Sequence, residues 1–332
     1  MRSRARPWCA VLAIVLGALA IGASIAIAQA EDPIAYVTEI RRANNGAAAV
    51  RRAGEVATSA IQPLLALRRG DEIRVSGDTE IVLLYHVGSG TRTVTRATSP
   101  FTIGPLPAPA TADRARVLVA TIGQVFLNQQ PPPPPRQLTV RSLPVNEPRF
   151  ALLAPRRTFV MPGTVTFEWS GDRQSRYLLR VSGPSGLVWE ARDLSLRAVQ
   201  YPANAPALEE GAEYRWEIST PGQVTQTSSF EVMTAAETSR VQQELELLRL
   251  VSSNGYSSGT IPLMRAALYL DDRLYADARR ELLTAIDARP GEPTYYMLLA
   301  HIYERVGLSE LASEVAERAR RLAGNGTANR GN

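Results

Sequence analysis

The chain of 332 residues contains no lysine, one cysteine and two histidines. Its 37 basic residues are therefore all arginines, which we interpret as the codon bias of a GC-rich genome. Because the single cysteine is Cys9, the rest of the chain has no thiolate nucleophile, no disulfide and no cysteine-based metal site. Folding without disulfides requires sizeable hydrophobic cores, which this length and a hydrophobic content of 45 % allow.

Motifs that carry chemistry are equally scarce. His86 and His301 have no H-E-x-x-H or comparable spacing, so we interpret each as a surface or half-buried side chain. Ser89 lies between two glycines without the strand–turn–helix context of a nucleophile elbow. The sequence has no Walker loop and no dinucleotide fingerprint. We therefore predict no catalytic residue, no cofactor and no metal site, and we classify the chain as a non-enzyme.

The N-terminus has the organisation of a secretory signal peptide over residues 1–30. Met1–Pro7 is basic, Ala10–Ala28 is apolar, and Ala28-Gln29-Ala30 is an A-x-A cleavage site. We therefore expect a periplasmic or exported protein, cleaved after about Ala30. The alternative is an uncleaved membrane anchor, because the apolar run approaches the ~20 residues that span a bilayer. Cys9 precedes this run and does not support a lipoprotein.

The charge of the chain is small once this segment is set apart. The net charge is +5, and leaving out Arg2, Arg4 and Arg6 reduces it to +2. Such a balance does not indicate binding to nucleic acid or to an acidic membrane surface.

Residues 31–104 have the pattern of an all-β domain. Leu67–Ile73 contains the tight-turn signal Gly70-Asp71, and Glu80–Tyr85 is a compact apolar strand. Thr91–Thr98 alternates threonine with other residues, as a half-buried strand does. Many short strands with regular turns favour a small sandwich or roll.

The same stretch resembles the FecR-like periplasmic domain. The residues that carry this resemblance are Leu67, Gly70, Asp71, Gly77, Ile81–Tyr85, Gly88-Ser89-Gly90 and Ser99-Pro100-Phe101. Val87 stands where the family usually has the aspartate of an Asp-Gly-Ser turn. Regulators of this family carry a cytoplasmic anti-sigma segment before a membrane helix, and only a handful of residues precede Ala10. The resemblance therefore implies the fold, and we expect no sigma-factor role.

Residues 105–149 are predicted to be a proline-rich linker. Thr111–Leu127 has the apolar spacing of one short amphipathic helix. Pro131–Pro135 is an unbroken proline run, for which we expect polyproline II conformation with a rise of about 3 Å per residue. We interpret the run as a strut between domains; the alternative is a docking peptide for an aromatic groove.

Residues 150–233 are predicted to form a second β domain. Alternation places three sets of side chains on one face each: Val165, Phe167 and Trp169; Tyr177, Leu179 and Val181; Tyr214, Trp216 and Ile218. The strand candidates are Thr164–Trp169, Arg176–Ser182, Gly186–Ala191, Arg197–Tyr201, Tyr214–Ser219 and Thr225–Val232. Six or seven strands in roughly 80 residues favour an immunoglobulin-like sandwich.

One turn of this domain resembles the tyrosine corner of fibronectin type III domains. The turn is Leu208–Tyr214, and the resemblance implies that the hydroxyl of Tyr214 bonds to nearby backbone. We interpret Trp169, Trp189 and Trp216 as core residues, because tryptophans at alternating strand positions usually pack inward. The alternative is a platform on which a carbohydrate stacks.

The C-terminal part is predicted to be helical over residues 235–323. Ala235–Val251 is amphipathic, and its apolar side consists of Val241, Leu245, Leu248 and Val251, widened by Leu247 and Leu250. After Ser252–Gly259 a period of 34 residues follows, in which Ala266, Tyr269, Ala278 and Ala285 recur as Ala300, Tyr303, Ala312 and Ala319. This period is typical of stacked helix–turn–helix units. We predict repeats at 259–292 and 293–323, a cap at Asp271-Asp272 for the following helix, and a flexible tail at 324–332.

The two repeats resemble tetratricopeptide repeats in their small residues, their aromatic positions and the closing Pro290. Gly307 matches the family's turn in the second copy, whereas Arg273 occupies that position in the first. Tyr296 stands at the usual tryptophan position in the second copy, and Pro262 in the first. The resemblance implies a groove that binds a protein partner, and the partner-binding candidates are Tyr269, Arg273, Tyr296 and Tyr303.

The groove of two repeats is short, because about three units are needed to bury a continuous core. Three uses remain open for it: the groove docks its own β domain, it extends through self-association, or it holds a short partner segment.

These features favour a multidomain protein of β plus α class, with a FecR-like domain, an immunoglobulin-like sandwich and tetratricopeptide-type helical hairpins. Our leading hypothesis is an exported, non-enzymatic binding or scaffold protein of the Gram-negative envelope. Its expected partner is a protein, with peptidoglycan or another envelope polysaccharide as a further candidate. The alternatives are a membrane-anchored periplasmic sensor and a hydrolase acting on glycans or peptidoglycan.

Overall fold

The computed structural model describes residues 32–42, 46–85, 90–104, 121–126, 150–163, 165–252 and 255–324. The predicted signal peptide, the proline run Pro131–Pro135, His86 and the predicted tail beyond residue 324 lie outside the described residues. The described residues combine sixteen strands with six helical segments, so the protein is of β plus α class. The part of the chain that begins at Asp32 forms one compact unit.

The first β module, residues 32–104, consists of two four-stranded sheets that share one core. Its strands are β1 Ala35–Arg41, β2 Ala47–Arg51, β3 Thr58–Ala60, β4 Ala66–Leu67, β5 Glu72–Ser76, β6 Glu80–Tyr85, β7 Thr91–Val94 and β8 Phe101–Thr102. The strand orders are β4-β1-β6-β7 and β3-β2-β5-β8, and the pairing is antiparallel throughout. Apolar residues of both sheets, among them Val37, Ile73 and Ile81, meet in the core between them.

The predicted strand Thr91–Thr98 is too long. The strand ends at Val94, and Arg96–Thr98 forms a 3-10 turn. The hydroxyl of Thr98 accepts a hydrogen bond from the Thr95 N–H (2.9 Å), which closes the turn locally. Threonine side chains often compete with strand pairing in this way, so alternation alone overstated the strand.

The sandwich, residues 150–233, has a five-stranded sheet facing a three-stranded sheet. Its strands are β9 Leu152–Ala154, β10 Thr158–Val160, β11 Thr166–Trp169, β12 Tyr177–Gly183, β13 Gly186–Leu194, β14 Ala198–Gln200, β15 Glu213–Ser219 and β16 Gln226–Val232. The orders are β10-β16-β15-β12-β13 and β14-β11-β9. Six of these strands overlap the predicted ones. The prediction missed β9 and β10, because each has only three residues and Pro155 follows β9 directly.

The predicted inward faces of the sandwich are confirmed. All nine alternating residues on β11, β12 and β15 and just before β11 are buried and belong to the core between the two sheets. Trp169 and Trp216 are at most 1 % exposed, and Trp189 is half-buried against Phe167 and Tyr201. The hydroxyl of Tyr214 accepts a hydrogen bond from the backbone N–H five residues earlier, at 2.8 Å. The tryptophans are therefore core residues, as expected.

The helices are α1 at residues 121–126, α2 Ala235–Ser252, α3 Thr260–Asp271, α4 Tyr275–Ala288, α5 Pro293–Arg305 and α6 Ser309–Gly324. Of the predicted helix Thr111–Leu127, residues 121–126 are described and are helical. In α2, Val241 and Leu248 are fully buried, whereas Leu250 is 56 % exposed and does not widen the apolar side. None of the helices among the described residues combines the length and the apolarity that crossing a membrane requires.

The repeat pair, α3 to α6, repeats its backbone hydrogen bonds at the same 34-residue distance as its side chains. The N–H of Leu274 donates to the carbonyl of Tyr269, and the N–H of Leu308 donates to that of Tyr303, both at 2.8 Å. At the equivalent turn positions, Arg273 has a φ of 57° and Gly307 a φ of 75°. The first copy therefore keeps the left-handed turn without the glycine that favours it.

The predicted cap at Asp271-Asp272 is wrong. Asp272 ends α3, and the residue before α4 is Leu274. The carboxylate of Asp272 pairs with Arg240 of α2 instead. Proximity in sequence suggested a cap, whereas the turn directs this side chain back towards the preceding helix.

The core of the repeat pair extends into both β modules. It contains helical residues such as Leu263 and Leu298, together with Tyr36 of β1 and Met233 at the end of the sandwich. Two residues of α1, Ile122 and Phe126, are buried in the same core. The ring of Phe126 packs edge-on against that of Tyr36, with centroids 5.9 Å apart. We call this common set of residues the shared core.

Candidate functional site

The repeat pair contacts the first β module through a polar and buried interface. Strand β1 runs past the N-terminal ends of α3 and α5. Two carboxylates meet there: Glu39 of β1, which is fully buried, and Glu292 at the N-cap of α5, which is 5 % exposed. Buried carboxylates are rare unless they are paired or fully hydrogen-bonded. We call these two residues and their bonding partners the carboxylate seam.

Glu292 is held only by neutral donors. Its carboxylate accepts hydrogen bonds from the backbone N–H of Thr294 (3.1 Å) and from the Thr294 hydroxyl (2.8 Å), as an N-cap residue does. It also accepts from the backbone N–H of Ile40 on β1, at 3.1 Å. No arginine among the described residues forms an ion pair with it. The N-cap of α5 thus binds a backbone donor of the neighbouring module and has no ion-pair partner when it is ionised.

Glu39 is held by cations. Its Oε2 accepts from Nη2 of Arg41 at 2.7 Å and from Nη1 of Arg289 at 2.9 Å, and its Oε1 accepts from the hydroxyl of Thr260 at 3.2 Å. Arg289 directly follows α4, so this ion pair joins β1 to the repeat pair. Charge-assisted bonds of this kind offset the cost of burying the Glu39 carboxylate.

Small residues bring the two modules close together at the carboxylate seam. The hydroxyls of Thr38 and Thr260 lie 2.9 Å apart across it, and both residues are fully buried. The carbonyl of Gly259 accepts a hydrogen bond from the hydroxyl of Tyr295, at 2.9 Å. A Cβ at Gly259 would clash with the ends of the Glu39 and Arg289 side chains, so a larger residue there would displace this ion pair.

The carboxylate seam opens to solvent through a cleft of about 690 Å³. The side chains that line it are mainly charged, and they include Arg41, Arg42, Asp78, Glu80, Arg289 and Glu292. Both signs are present in similar number. Water therefore reaches the edge of the buried carboxylates without any large opening of the fold.

Burial sets the ionisation of the carboxylate seam. It raises the pKa of Glu292 to about 7, because desolvation disfavours the charged form and the nearby Glu39 adds to this, while the bonds from Thr294 and Ile40 act against it. Burial likewise raises the pKa of the Tyr295 phenol to about 12, and the charge of Glu39 raises it further. Glu292 is thus the one of these two groups that changes its protonation near neutral pH.

The contact between the repeat pair and the sandwich has a different chemistry. Arg279 of α4 pairs with Glu168 of β11 at 2.6 Å, and its side chain is only 9 % exposed. Its Nε donates to the hydroxyl of Tyr303 at 3.3 Å. The turn before α4 adds backbone bonds, because the carbonyl of Arg273 accepts from the N–H of Phe159 on β10 at 3.1 Å. Here the buried charges are balanced one to one.

The four predicted partner-binding residues contact other residues of the same chain and are buried to different degrees. Tyr303 is 7 % exposed beside Arg279, and Tyr269 is half-buried against the shared core. The guanidinium of Arg273 lies 4.8 Å from the ring centroid of Phe159 in the sandwich. Tyr296 is half-buried, donates its hydroxyl to the carbonyl of Pro290 and lies beneath Arg318.

Neither carboxylate of the carboxylate seam was among the residues predicted from the sequence. Glu39 is a charged residue within the buried part of β1, and Glu292 directly precedes Pro293 at the first position of α5. A charged residue inside a largely apolar strand and an acidic residue before a helix-starting proline are both visible signals. Nothing in the sequence indicated that the two signals face each other, because they lie 253 residues apart.

Of the two histidines, His301 lies within the described residues. His301 is half-buried on α5; burial and the charge of Arg305 lower its pKa to about 4. Its Nε2 lies 3.2 Å from Nε of Arg305, which donates to it. In the part of the chain that the structure describes, no group of three or more His, Cys, Asp or Glu residues is placed to hold a metal ion.

Comparisons with known proteins give no assignment. No family model matches the chain, and no curated protein matches it. Among solved structures, it is similar to a central fibronectin-III array of a RIM-binding protein, with 11 % identity and a TM-score of 0.19, over 61 % of this chain and 63 % of that one. It is also similar to a β-1,2-glucanase from Parabacteroides distasonis, with 10 % identity and a TM-score of 0.20, over 88 % of this chain. The chain spans 63 % and 49 % of the lengths of these two structures.

Proposed function

We propose that this protein is an exported, non-enzymatic scaffold of the bacterial envelope, in which the repeat pair fixes two β modules in one arrangement. The observation that carries the proposal is the shared core, because helical residues bury Tyr36 of the first β module and Met233 of the sandwich together. A module that only held a partner would not need to bury its own neighbours. Of the three uses open to the groove, docking of the chain's own β domains is the one that these contacts favour.

Within this proposal, we assign residues 32–104 to a FecR-like domain, the sandwich to the immunoglobulin and fibronectin III group, and the repeat pair to tetratricopeptide-type hairpins. The bond from the Glu209 N–H to the Tyr214 hydroxyl and the repeated turns at Arg273 and Gly307 support the last two assignments.

The polar outer side of α6 argues against extension by stacking. Its buried stripe consists of small residues that face the rest of the repeat pair: Ala312, Ala316, Ala319 and Ala323. The opposite side carries exposed charges, including Glu314, Glu317 and Arg320. Terminal units of helical arrays have such polar faces because nothing stacks on them. We therefore propose that a partner binds on the side surfaces of the repeat pair, with the half-buried Tyr296 as the candidate residue on α5.

Cross-linking in intact envelopes tests the scaffold proposal. Because the shared core joins the modules, the full chain is used and not a truncated one. The expected result is a defined cross-linked protein that is lost on Tyr296→Ala and kept on Tyr201→Phe, a change confined to the sandwich. Cross-links to isolated cell-wall sacculi but to no protein would favour a polysaccharide partner. A chain that cross-links to neither would contradict the proposal.

The mature N-terminus tests the proposed location. A mass that corresponds to a start at Glu31 supports a released periplasmic protein. An intact Met1 would contradict release and favour the membrane-anchored sensor.

A further inference from the structure

The carboxylate seam places a buried carboxylate without an ion-pair partner between two modules of the chain. Glu292 and Glu39 lie on opposite sides of the contact, yet the two arginines at the seam both bind Glu39. The three donors that hold Glu292 are neutral. An ionised carboxylate that is buried without a cation costs free energy, and adding a proton removes that cost.

We propose that the carboxylate seam is a proton-operated latch: one proton bound by Glu292 tightens the docking of the repeat pair on β1, and its release loosens that docking. The proton comes from solvent through the cleft that reaches Glu292. The latch is a property of the chain alone, so its test needs no partner and does not depend on the proposed scaffold function.

The direction of the effect follows from linkage. In the docked state the pKa of Glu292 is about 7, whereas an exposed glutamate in the undocked state titrates near its ordinary value of 4.5. The docked state therefore binds the proton more tightly, and docking strengthens as pH falls from about 8 towards 4.5. Because docking and proton binding are linked, the docking constant increases about tenfold between pH 8 and pH 6.

Several other charged groups surround Glu292, and they bear on the pH dependence of docking. From β1 it faces Glu39 and Arg41, and Arg289 approaches from the end of α4. Tyr295 on α5 stays protonated in this range. The arginines stay charged, and further charged groups along the cleft are Arg42, Asp78 and Glu80. The pKa of Glu292 lies near neutral pH, within the range that the experiment covers.

The bond from Ile40 gives the latch a local reporter. The Ile40 N–H donates to Glu292 across the carboxylate seam, so its exchange with solvent deuterium reports the opening of this contact. Exchange is measured on the full chain at several pH values and divided by the intrinsic rate at each pH. The expected result is an opening constant about tenfold larger at pH 8 than at pH 6. Equal protection at both values would overturn the proposal.

Two variants identify the titrating group. Glu292→Gln keeps an acceptor oxygen for Ile40 and Thr294 but has no charge, so we expect high protection that does not change with pH. Glu80→Gln is the matched control, because Glu80 lines the same cleft with a side chain that is 43 % exposed. It is expected to keep the wild-type profile. A flat profile in Glu80→Gln together with an unchanged one in Glu292→Gln would overturn the proposal.

A second measurement covers the case in which Glu292→Gln does not fold. The carboxyl carbon of Glu292 is followed by NMR in the wild-type chain as pH changes. A midpoint near 7 supports the latch, and a midpoint near 4.5 overturns it.

Discussion

The repeat pair packs against the sandwich and against the first β module, and the buried charges at these two contacts are arranged differently. Towards the sandwich, the buried Arg279 pairs with the half-buried Glu168, and the backbone carbonyl of Arg273 adds a hydrogen bond to this contact. Towards the first β module, Arg41 and Arg289 both form ion pairs with Glu39, whereas Glu292 accepts hydrogen bonds from neutral donors. In the first contact each charge has a partner of opposite sign, whereas in the second the ionised Glu292 has no ion-pair partner among the described residues.

This difference separates a fixed contact from an adjustable one. Arginine stays protonated at all relevant pH values, so the sandwich contact does not respond to pH through its cation. Glu292 titrates near neutrality, so the contact with β1 does respond. The apolar shared core runs beneath both contacts and sets most of their strength.

Removing a shared-core side chain is expected to have the largest effect. Tyr36→Ala leaves a cavity where a fully buried ring packs against Phe126, and it destabilises the protein by about 3–5 kcal/mol. Urea unfolding measures this loss. Val56→Ala is the control, because Val56 is 94 % exposed, and its effect stays within about 0.5 kcal/mol. A loss below about 1 kcal/mol for Tyr36→Ala would show that β1 does not depend on the shared core.

Breaking the ion pair between Arg279 and Glu168 is expected to have the second largest effect on stability. Arg279→Met leaves the carboxylate of Glu168 without its cation and destabilises the protein by about 3 kcal/mol. Arg320→Met on α6 is the control, because Arg320 and its partner Glu317 are 45 % and 48 % exposed, so that their pair contributes less than about 1 kcal/mol. Adding Glu168→Gln to Arg279→Met is expected to recover part of the loss. Equal losses for both arginine variants contradict a buried pair at the sandwich contact.

The pH dependence of stability follows from the contact with the first β module. The pKa of Glu292 is higher in the folded chain than in the unfolded one, so its contribution is present at low pH and is lost as pH rises through about 7. His301 acts in the opposite direction as pH falls through its unfolded value of 6.5, because its folded pKa is about 4. Between pH 8 and pH 6.5 Glu292 contributes about 0.8 kcal/mol, and His301, which is half protonated in the unfolded chain at pH 6.5, offsets about 0.4 kcal/mol of it. Wild type therefore gains about 0.4 kcal/mol over this interval, whereas Glu292→Gln loses about 0.4 kcal/mol. Unfolding curves of both chains at the two pH values check this, and identical changes in the two chains would exclude Glu292.

The smallest effects are expected at the two equivalent turns. Arg273→Gly relieves a left-handed backbone at a residue other than glycine, but it removes the contact with Phe159, so the net change is within about 1 kcal/mol. Gly307→Ala introduces the strain that Arg273 already carries and costs about 1 kcal/mol. Thermal unfolding of the two variants measures both. A larger loss for Arg273→Gly than for Gly307→Ala would contradict the equivalence of the turns.

Local pattern predicted much of this fold. Alternation identified the inward faces of β11, β12 and β15, and the 34-residue period located the helices of the repeat pair. These signals work because each depends on neighbours within one element. The strands β9 and β10 have three residues each, which is too short for any periodic signal.

The carboxylate seam could not be predicted from local sequence patterns. Glu39 and Glu292 approach each other only because β1 passes the N-terminal ends of α3 and α5, and this depends on how separate modules pack. The turn at Arg273 shows a related limit. Its residue type differs from that of Gly307, yet the helices on either side impose the same left-handed conformation.

The central claim is that the repeat pair joins both β modules into one folded unit. Beyond Trp8 near the N-terminus, the tryptophans are Trp169, Trp189 and Trp216, so fluorescence reports chiefly the sandwich. Circular dichroism at helical wavelengths reports α2 to α6. We predict that both signals change in one coincident urea transition, and that Tyr36→Ala shifts the fluorescence transition although Tyr36 lies outside the sandwich. Two separate transitions, or a fluorescence curve that Tyr36→Ala leaves unchanged, would contradict the claim.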